Sequence, residues 1–113
     1  MQSKYSVYKD SLVVYLGKEL DHHVAKIIRE ETQEYIEYCK IKNIIFNFEN
    51  TNFMDSSGIG LIMGRYKLLS EYGGKVYAVE INDCIRKIFK MSGLFKIVEI
   101  VDNLDEIVCM QEI

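Results

Sequence analysis

Residues 53–66 have the sequence Phe53-Met54-Asp55-Ser56-Ser57-Gly58-Ile59-Gly60-Leu61-Ile62-Met63-Gly64-Arg65-Tyr66. Before this stretch, residues 44–48 form a short β-branched and aromatic run, which predicts a strand. From Ile59 onward, apolar residues recur at helical spacing as far as Leu69, which predicts a helix. Asp55, Ser56 and Ser57 therefore lie on a turn that leads from a strand into a helix.

The start of a helix is a favourable place for negative charge. Its first backbone N–H groups lack partners within the helix, and the peptide dipole has its positive end there. A serine hydroxyl at this place can receive a phosphate, or it can only cap the helix. One of the two serines, Ser56 or Ser57, can cap the helix while the other is free, and the local pattern does not decide which.

Three glycines follow the serines, at positions 58, 60 and 64. Gly60 and Gly64 fall one helical turn apart, and each should lower helix stability by roughly 1 kcal/mol relative to alanine. We expect this cost to be offset by a close approach of the helix to a sheet, which glycine permits because it has no side chain.

Two enzyme-like interpretations of the turn fit less well. A hydrolase nucleophile would need the G-x-S-x-G elbow, which is absent, and no obvious base lies nearby in the sequence. A dinucleotide fingerprint would need a third glycine where Met63 stands, although Glu80 could serve as its ribose acid. Neither interpretation assigns a catalytic residue, and we expect no enzyme activity and no cofactor.

The composition fits one globular α/β domain over residues 1–113. The chain is 49% hydrophobic and 27% charged, which suits a domain that buries about two thirds of its unfolded surface. A net charge of −3 argues against direct contact with nucleic acid, which needs a basic surface. No apolar run approaches the roughly 20 residues that span a bilayer, and Met1–Tyr5 opens no apolar signal segment. We expect a soluble, cytoplasmic protein without membrane contact.

Cysteines and histidines give no metal site. Cys39, Cys84 and Cys109 are odd in number and widely spaced, which fits buried thiols in a reducing compartment better than zinc ligands or disulfides. His22 and His23 are adjacent, so their side chains diverge on a helix and cannot share a metal ion. We assign these two histidines no chemistry.

Strand and helix signals alternate along the chain in the order ββαβαβαβα. The first two strands flank the polar turn Lys9-Asp10-Ser11 and predict an N-terminal hairpin, and the later strands predict a mixed, mostly parallel sheet. Asp21 can cap the first helix, which we expect to end near Lys40. If the second and third strands are neighbours, Asp21 and the Asp55-Ser56 turn lie at the same end of the sheet.

Several blocks of sequence, spread over nearly the whole chain, also match a known pattern. The blocks are Leu20-Asp21-His22-His23, Phe53-Met54-Asp55-Ser56-Ser57-Gly58-Ile59-Gly60, Gly64-Arg65-Tyr66-Lys67, Gly73-Gly74 and Met91-Ser92-Gly93-Leu94-Phe95-Lys96. In this order they closely resemble the anti-sigma factor antagonists of the STAS domain family, above all those that counter the anti-sigma factor of sporulation sigma-F.

This resemblance implies a fold, a function and a set of site residues. Family members bind an anti-sigma factor that is also a serine kinase, are released when it phosphorylates them, and are restored by a serine phosphatase. The resemblance makes Ser56 the phosphorylated residue, and we therefore expect Ser57 to be the cap of the helix. It also places Asp21 and Asp55 in the partner-binding region. The partner-binding set that we expect is Asp21, Asp55, Ser56, Ser57, Gly58 and Gly60, on a protein that acts as a monomer.

One position departs from the family pattern, and two other functions stay open. Lys18 stands where the family usually has glycine, and it would be strained if that turn needs a positive φ. The same fold could serve a stress-response pathway that switches partners in the same way. Alternatively, the chain could be a small nucleotide-binding domain that uses the helix start for phosphate.

Overall fold

The computed structural model describes residues 4–112, with side chains through residue 110. Residues 1–3 and 113 lie outside this range, so the expectations for the N-terminal segment and for the full span 1–113 extend beyond it. The strands are β1 (Lys4–Tyr8), β2 (Ser11–Tyr15), β3 (Glu19–Leu20), β4 (Asn43–Asn47), β5 (Phe53–Met54), β6 (Val76–Val79) and β7 (Glu99–Val101). The helices are α1 (His22–Tyr38), α2 (Ser56–Ser70), α3 (Asp83–Ser92) and α4 (Leu104–Glu112), with a 3-10 helix at Leu94–Lys96.

The main sheet has the strand order β1-β2-β4-β6-β7. β1 and β2 form the expected antiparallel hairpin, and each later neighbour pairs in parallel. The predicted α/β class and the mixed, mostly parallel sheet are therefore confirmed. The order ββαβαβαβα was incomplete, because β3 and β5 form a separate parallel pair. Each has only two residues, too few to give a hydrophobic pattern in the sequence.

The central strands are apolar on both faces because both faces are covered. Along β2, β4 and β6, alternate residues point to opposite sides of the sheet. One set, which includes Leu12, Ile44 and Ala78, packs with α1, α2 and α3 in the larger core. The other set includes Val13 and Ile45 and packs against α4 in a smaller core.

Local signals mark both ends of α3. The Asn82 side chain accepts a hydrogen bond from the backbone N–H of Ile85 at 2.9 Å and so starts α3. Gly93 ends α3 with a left-handed φ of 80°. α1 ends at Tyr38, slightly earlier than predicted.

Some residues expected in the core are exposed. Cys39, Cys84 and Cys109 are all exposed, so the prediction of buried thiols was wrong. Cys84 adjoins Ile85, which takes the core position in the first turn of α3. Met63, which matched the helical repeat, is 48% exposed. None of the helices within residues 4–112 has the length and apolar character needed to cross a membrane.

Candidate functional site

The short β3–β5 pair brings the starts of α1 and α2 side by side. Leu20 pairs with Met54, and each is followed by an aspartate and then by a helix. The backbone N–H of Asp55 donates to the carbonyl oxygen of Leu20 at 3.3 Å, which ties the two turns together. The expectation that Asp21 and the Asp55-Ser56 turn lie at the same end of the sheet is therefore confirmed.

Both aspartates cap their helices. The Asp21 carboxylate accepts a hydrogen bond from the backbone N–H of Val24 at 3.0 Å, as predicted. The Asp55 carboxylate accepts from the N–H groups of Ser57 and Gly58, at 2.8 and 3.3 Å. The prediction that Ser57 caps α2 was wrong, because the preceding carboxylate reaches the same donors and is negatively charged.

The two serines of α2 differ in their surroundings. Ser56 is exposed, and within the described part of the chain its hydroxyl has no hydrogen-bond partner. Ser57 is half-buried, and its hydroxyl oxygen lies 3.2 Å from Nδ1 of His22, the first residue of α1. Ser56 is therefore the serine whose oxygen is open to an incoming protein.

The glycines of α2 also differ from one another. A Cβ on Gly58 would lie 2.6 Å from Cγ of Met54 and 2.9 Å from the carbonyl oxygen of Leu20, so here the close approach is real. A Cβ on Gly60 or Gly64 would meet nothing within 4 Å. The prediction that Gly60 and Gly64 lie against a sheet was wrong, because both are on the exposed side of α2.

An apolar hollow of about 280 Å³ lies beside Ser56, between α2 and α3. Its lining includes Ile59 from α2 together with Ile88 and Met91 from α3. Met91 is 89% exposed, and Phe53, just before the turn, is 48% exposed. Large apolar side chains at the surface, next to polar groups, are common where another protein binds.

His22 is the residue of this site that the sequence interpretation missed. We expected no base near the serines, but the His22 imidazole contacts Ser57 across 35 positions of sequence. A signal was present, because Leu20-Asp21-His22 and Met54-Asp55-Ser56 share an apolar residue, an aspartate and a polar residue. Once these segments are paired, the first residue of α1 lies beside the start of α2.

This geometry gives little support to the two enzyme-like interpretations of the turn, a hydrolase nucleophile and a dinucleotide site. Asp55 occupies the N–H groups of Ser57 and Gly58, which a phosphate or an oxyanion would need. No carboxylate in the described part of the chain bonds Nε2 of His22, so the His22–Ser57 pair lacks the third member of a catalytic triad. Among the side chains that the structure describes, in residues 4–110, His, Cys, Asp and Glu form no group of three or more that could hold a metal ion.

Displaced pKa values occur away from this site. Burial, followed by its hydrogen bond to Glu31, raises the pKa of Tyr5 well above that of an ordinary tyrosine. Burial and then repulsion by Glu99 raise the pKa of Tyr77. Burial and then the charge of Arg29 lower the pKa of Arg65, between α1 and α2. These groups affect stability and are not part of the turn.

Comparisons with known proteins agree with the fold. A family model described as STAS domain matches residues 2–107. An anti-sigma F factor antagonist of Paenibacillus polymyxa is 39% identical over 103 residues, which are 91% of this chain and 88% of that protein. An anti-sigma-B factor antagonist of Staphylococcus aureus is 32% identical over 81 residues, which are 72% of this chain and 74% of that protein.

Solved structures of the anti-sigma factor antagonist SpoIIAA are also similar. The unphosphorylated form has a TM-score of 0.78 and 31% identity, and the match covers 96% of each chain. The phosphorylated form, from Bacillus, has a TM-score of 0.77 and 32% identity, and covers 96% of this chain and 97% of that chain. The similarity therefore extends over the sheet, the helices and both aspartate turns.

Proposed function

Because the chain belongs to the anti-sigma factor antagonists of the STAS domain family, we propose that it binds an anti-sigma factor and that phosphorylation of Ser56 prevents this binding. The bound anti-sigma factor is also the serine kinase, and a serine phosphatase restores the unmodified form. By sequestering the anti-sigma factor, the protein releases a sporulation sigma factor. It acts as a regulator without a catalytic residue or cofactor, as a single STAS domain over residues 1–113, monomeric and cytoplasmic.

The exposed Ser56 hydroxyl is the observation that carries this proposal. It directly follows Asp55 at the start of α2 and borders the hollow between α2 and α3. Beside it, the β3–β5 pair joins two distant parts of the sequence into one surface. The partner contacts this surface, including Ser57 and the exposed Gly60. Gly58 lies buried beneath it and maintains its shape.

Phosphorylation changes the charge of this surface. A phosphoserine adds about −1.5 to −2 charges at neutral pH. The added charge lies next to the Asp55 carboxylate, which already occupies the nearest N–H donors. In the free protein, water surrounds the phosphate. In the complex, loss of that water against an apolar partner surface, or repulsion by a negatively charged one, costs several kcal/mol. Each 1.4 kcal/mol is about tenfold in affinity.

Two substitutions at Ser56 test the switch. Ser56→Ala should bind the anti-sigma factor as the wild type does and should take no phosphate from it, whereas Ser56→Asp should bind at least tenfold more weakly. Calorimetry with the purified anti-sigma factor gives the affinities, and intact mass after incubation with ATP gives the phosphate content. If Ser56→Ala is still phosphorylated by that kinase, the acceptor is another hydroxyl and Ser57 becomes the candidate.

Ser70 supplies a matched control. It is exposed at the opposite end of the same helix, and its hydroxyl donates to the carbonyl of Lys67 at 3.0 Å. Ser70→Asp adds the same charge to α2 far from the turn, so the affinity for the anti-sigma factor should stay within about twofold. An equal loss of affinity in Ser56→Asp and Ser70→Asp would mean that net charge, rather than the turn, controls binding.

The similarity to an anti-sigma-B factor antagonist supports a second candidate, a stress-response pathway with the same switch. The two pathways differ in the anti-sigma factor that the unmodified protein binds. A pull-down from the native cell with Ser56→Ala as bait, followed by mass spectrometry, identifies that factor. Tight binding of ATP or GTP by the isolated protein in calorimetry would instead favour the nucleotide-binding alternative.

A further inference from the structure

The turn presents two adjacent serines, but only one of them contacts α1. The hydroxyl oxygen of Ser57 lies 3.2 Å from Nδ1 of His22, whereas the Ser56 side chain is exposed. Depending on the tautomer, Nδ1 accepts the Ser57 hydroxyl proton or donates to its oxygen. In both cases the imidazole ring lies on one side of the Ser57 oxygen, at hydrogen-bond distance.

We propose that His22 determines which of the two serines is phosphorylated, by engaging the hydroxyl of Ser57 and obstructing one side of it. This inference rests on the proposed function, since it concerns the same phosphotransfer. His22 would be a specificity-determining residue that never touches the phosphate on Ser56. Its role is to exclude the neighbouring serine.

The chemistry of phosphoryl transfer explains why such a contact excludes Ser57. The serine oxygen attacks the γ-phosphorus of ATP, the bond to the bridging oxygen of the β-phosphate breaks, and ADP leaves. The serine proton passes to a base of the kinase. Attack must be in line, and the three other oxygens of the transferred group need room around the serine oxygen. Next to Ser57 the His22 ring takes up part of that room and engages the hydroxyl, whereas the Ser56 hydroxyl is exposed and has no described hydrogen-bond partner.

A base beside a hydroxyl could also activate it, which would give His22 the opposite effect. Activation by a triad-like arrangement needs a carboxylate on Nε2 of the imidazole, and none of the side chains described, in residues 4–110, bonds that atom of His22. Among the described residues, the His22–Ser57 contact is also the only hydrogen bond between side chains of the two turns. These observations favour exclusion, and the experiment separates the two effects.

The test uses the full chain, the anti-sigma factor kinase from the same cell and Mg·ATP. Phosphate is mapped by peptide mass spectrometry on wild type, on Ser56→Ala, and on Ser56→Ala combined with either His22→Ala or His22→Ser. His23 provides the matched control, since it is the adjacent exposed histidine and no contact with Ser57 is described for it. Circular dichroism and binding to the anti-sigma factor verify that each variant is folded.

We expect the wild type to be phosphorylated on Ser56 alone and Ser56→Ala to take no phosphate. Combining Ser56→Ala with either His22 substitution should give phosphate on Ser57 at a rate at least threefold above the background signal measured on Ser56→Ala, and combining it with His23→Ala should not. If folded His22 variants leave Ser57 unmodified, or if Ser56→Ala already carries phosphate on Ser57, His22 does not set the site. If the wild type takes no phosphate on Ser56, the proposed function fails and this inference fails with it.

Discussion

Replacing Gly58 with alanine should destabilise the protein by about 2 kcal/mol. The new Cβ would lie 2.6 Å from Cγ of Met54, 2.8 Å from Cγ of Leu20 and 2.9 Å from the carbonyl oxygen of Leu20. Met54 and Leu20 are only 3% and 0% exposed, so neither can swing into solvent. The carbonyl oxygen also accepts the hydrogen bond from Asp55, so it cannot retreat without disturbing the β3–β5 pair.

The magnitude follows from two opposing effects. Overpacking a well-filled site costs about 1–3 kcal/mol, and three contacts below 3.0 Å, one of them with backbone, place Gly58→Ala at the upper end. Alanine regains about 1 kcal/mol of helix propensity relative to glycine. The remaining 2 kcal/mol should lower the melting temperature by roughly 10 °C in a domain of this size.

Urea titration followed by circular dichroism measures this change, and two glycines of the same helix supply controls. A Cβ at position 60 or 64 meets no atom within 4 Å, so Gly60→Ala and Gly64→Ala should each stabilise the protein by up to about 1 kcal/mol. Opposite signs at position 58 and at the two exposed positions are the expected result. Our account of the packing beneath the turn is refuted if Gly58→Ala is as stable as the wild type or if all three variants change alike.

Two further predictions concern the buried polar groups outside the turn. Arg65 is 8% exposed, its Nη1 donates to Gln33 at 2.9 Å, and its buried Nε has no partner among the described residues. Arg65→Met should therefore leave the free energy of unfolding unchanged or raise it by about 1 kcal/mol, and a loss above 1 kcal/mol in the urea titration would contradict this. Because the pKa values of Tyr5 and Tyr77 are raised in the folded state, the unfolded chain releases these protons first, near pH 10. The free energy of unfolding should thus fall as the pH rises above about 10. Between about pH 9 and pH 11, the melting temperature of Tyr5→Phe should fall less than that of the wild type.

The parts of the fold that the sequence predicted are those with local physical causes. The hairpin around Lys9 and the strand–helix alternation follow from hydrophobic pattern and turn residues, and both are confirmed. The caps Asp21 and Asn82 were also predictable, because each acid or amide stands directly before an apolar helical repeat. Lys18 is not among the described residues with positive φ, so the departure from the family pattern causes no strain there.

The parts that could not be predicted depend on which distant segments meet. Whether Gly58 or Gly60 lies against a neighbour is decided by the rotation of α2 about its axis, and sequence spacing gives only their relative positions. The contact between His22 and Ser57 likewise exists only because two-residue strands pair. For Ser57, the local signal for a cap was real, but the carboxylate of Asp55 competes for the same N–H groups and has the advantage of charge.

The position of Asp55 also explains why a phosphate on Ser56 should act on binding more than on folding. An open helix start would stabilise the added charge by about 0.3–2 kcal/mol, but here the cap has already taken up much of that interaction. Conversely, the Ser56 hydroxyl makes no hydrogen bond among the described residues that a phosphate would break, and the residue is exposed to water. In the free protein, phosphorylation therefore adds little stabilisation from the helix start and breaks no hydrogen bond of Ser56. The added charge becomes costly only where a partner removes the water around it.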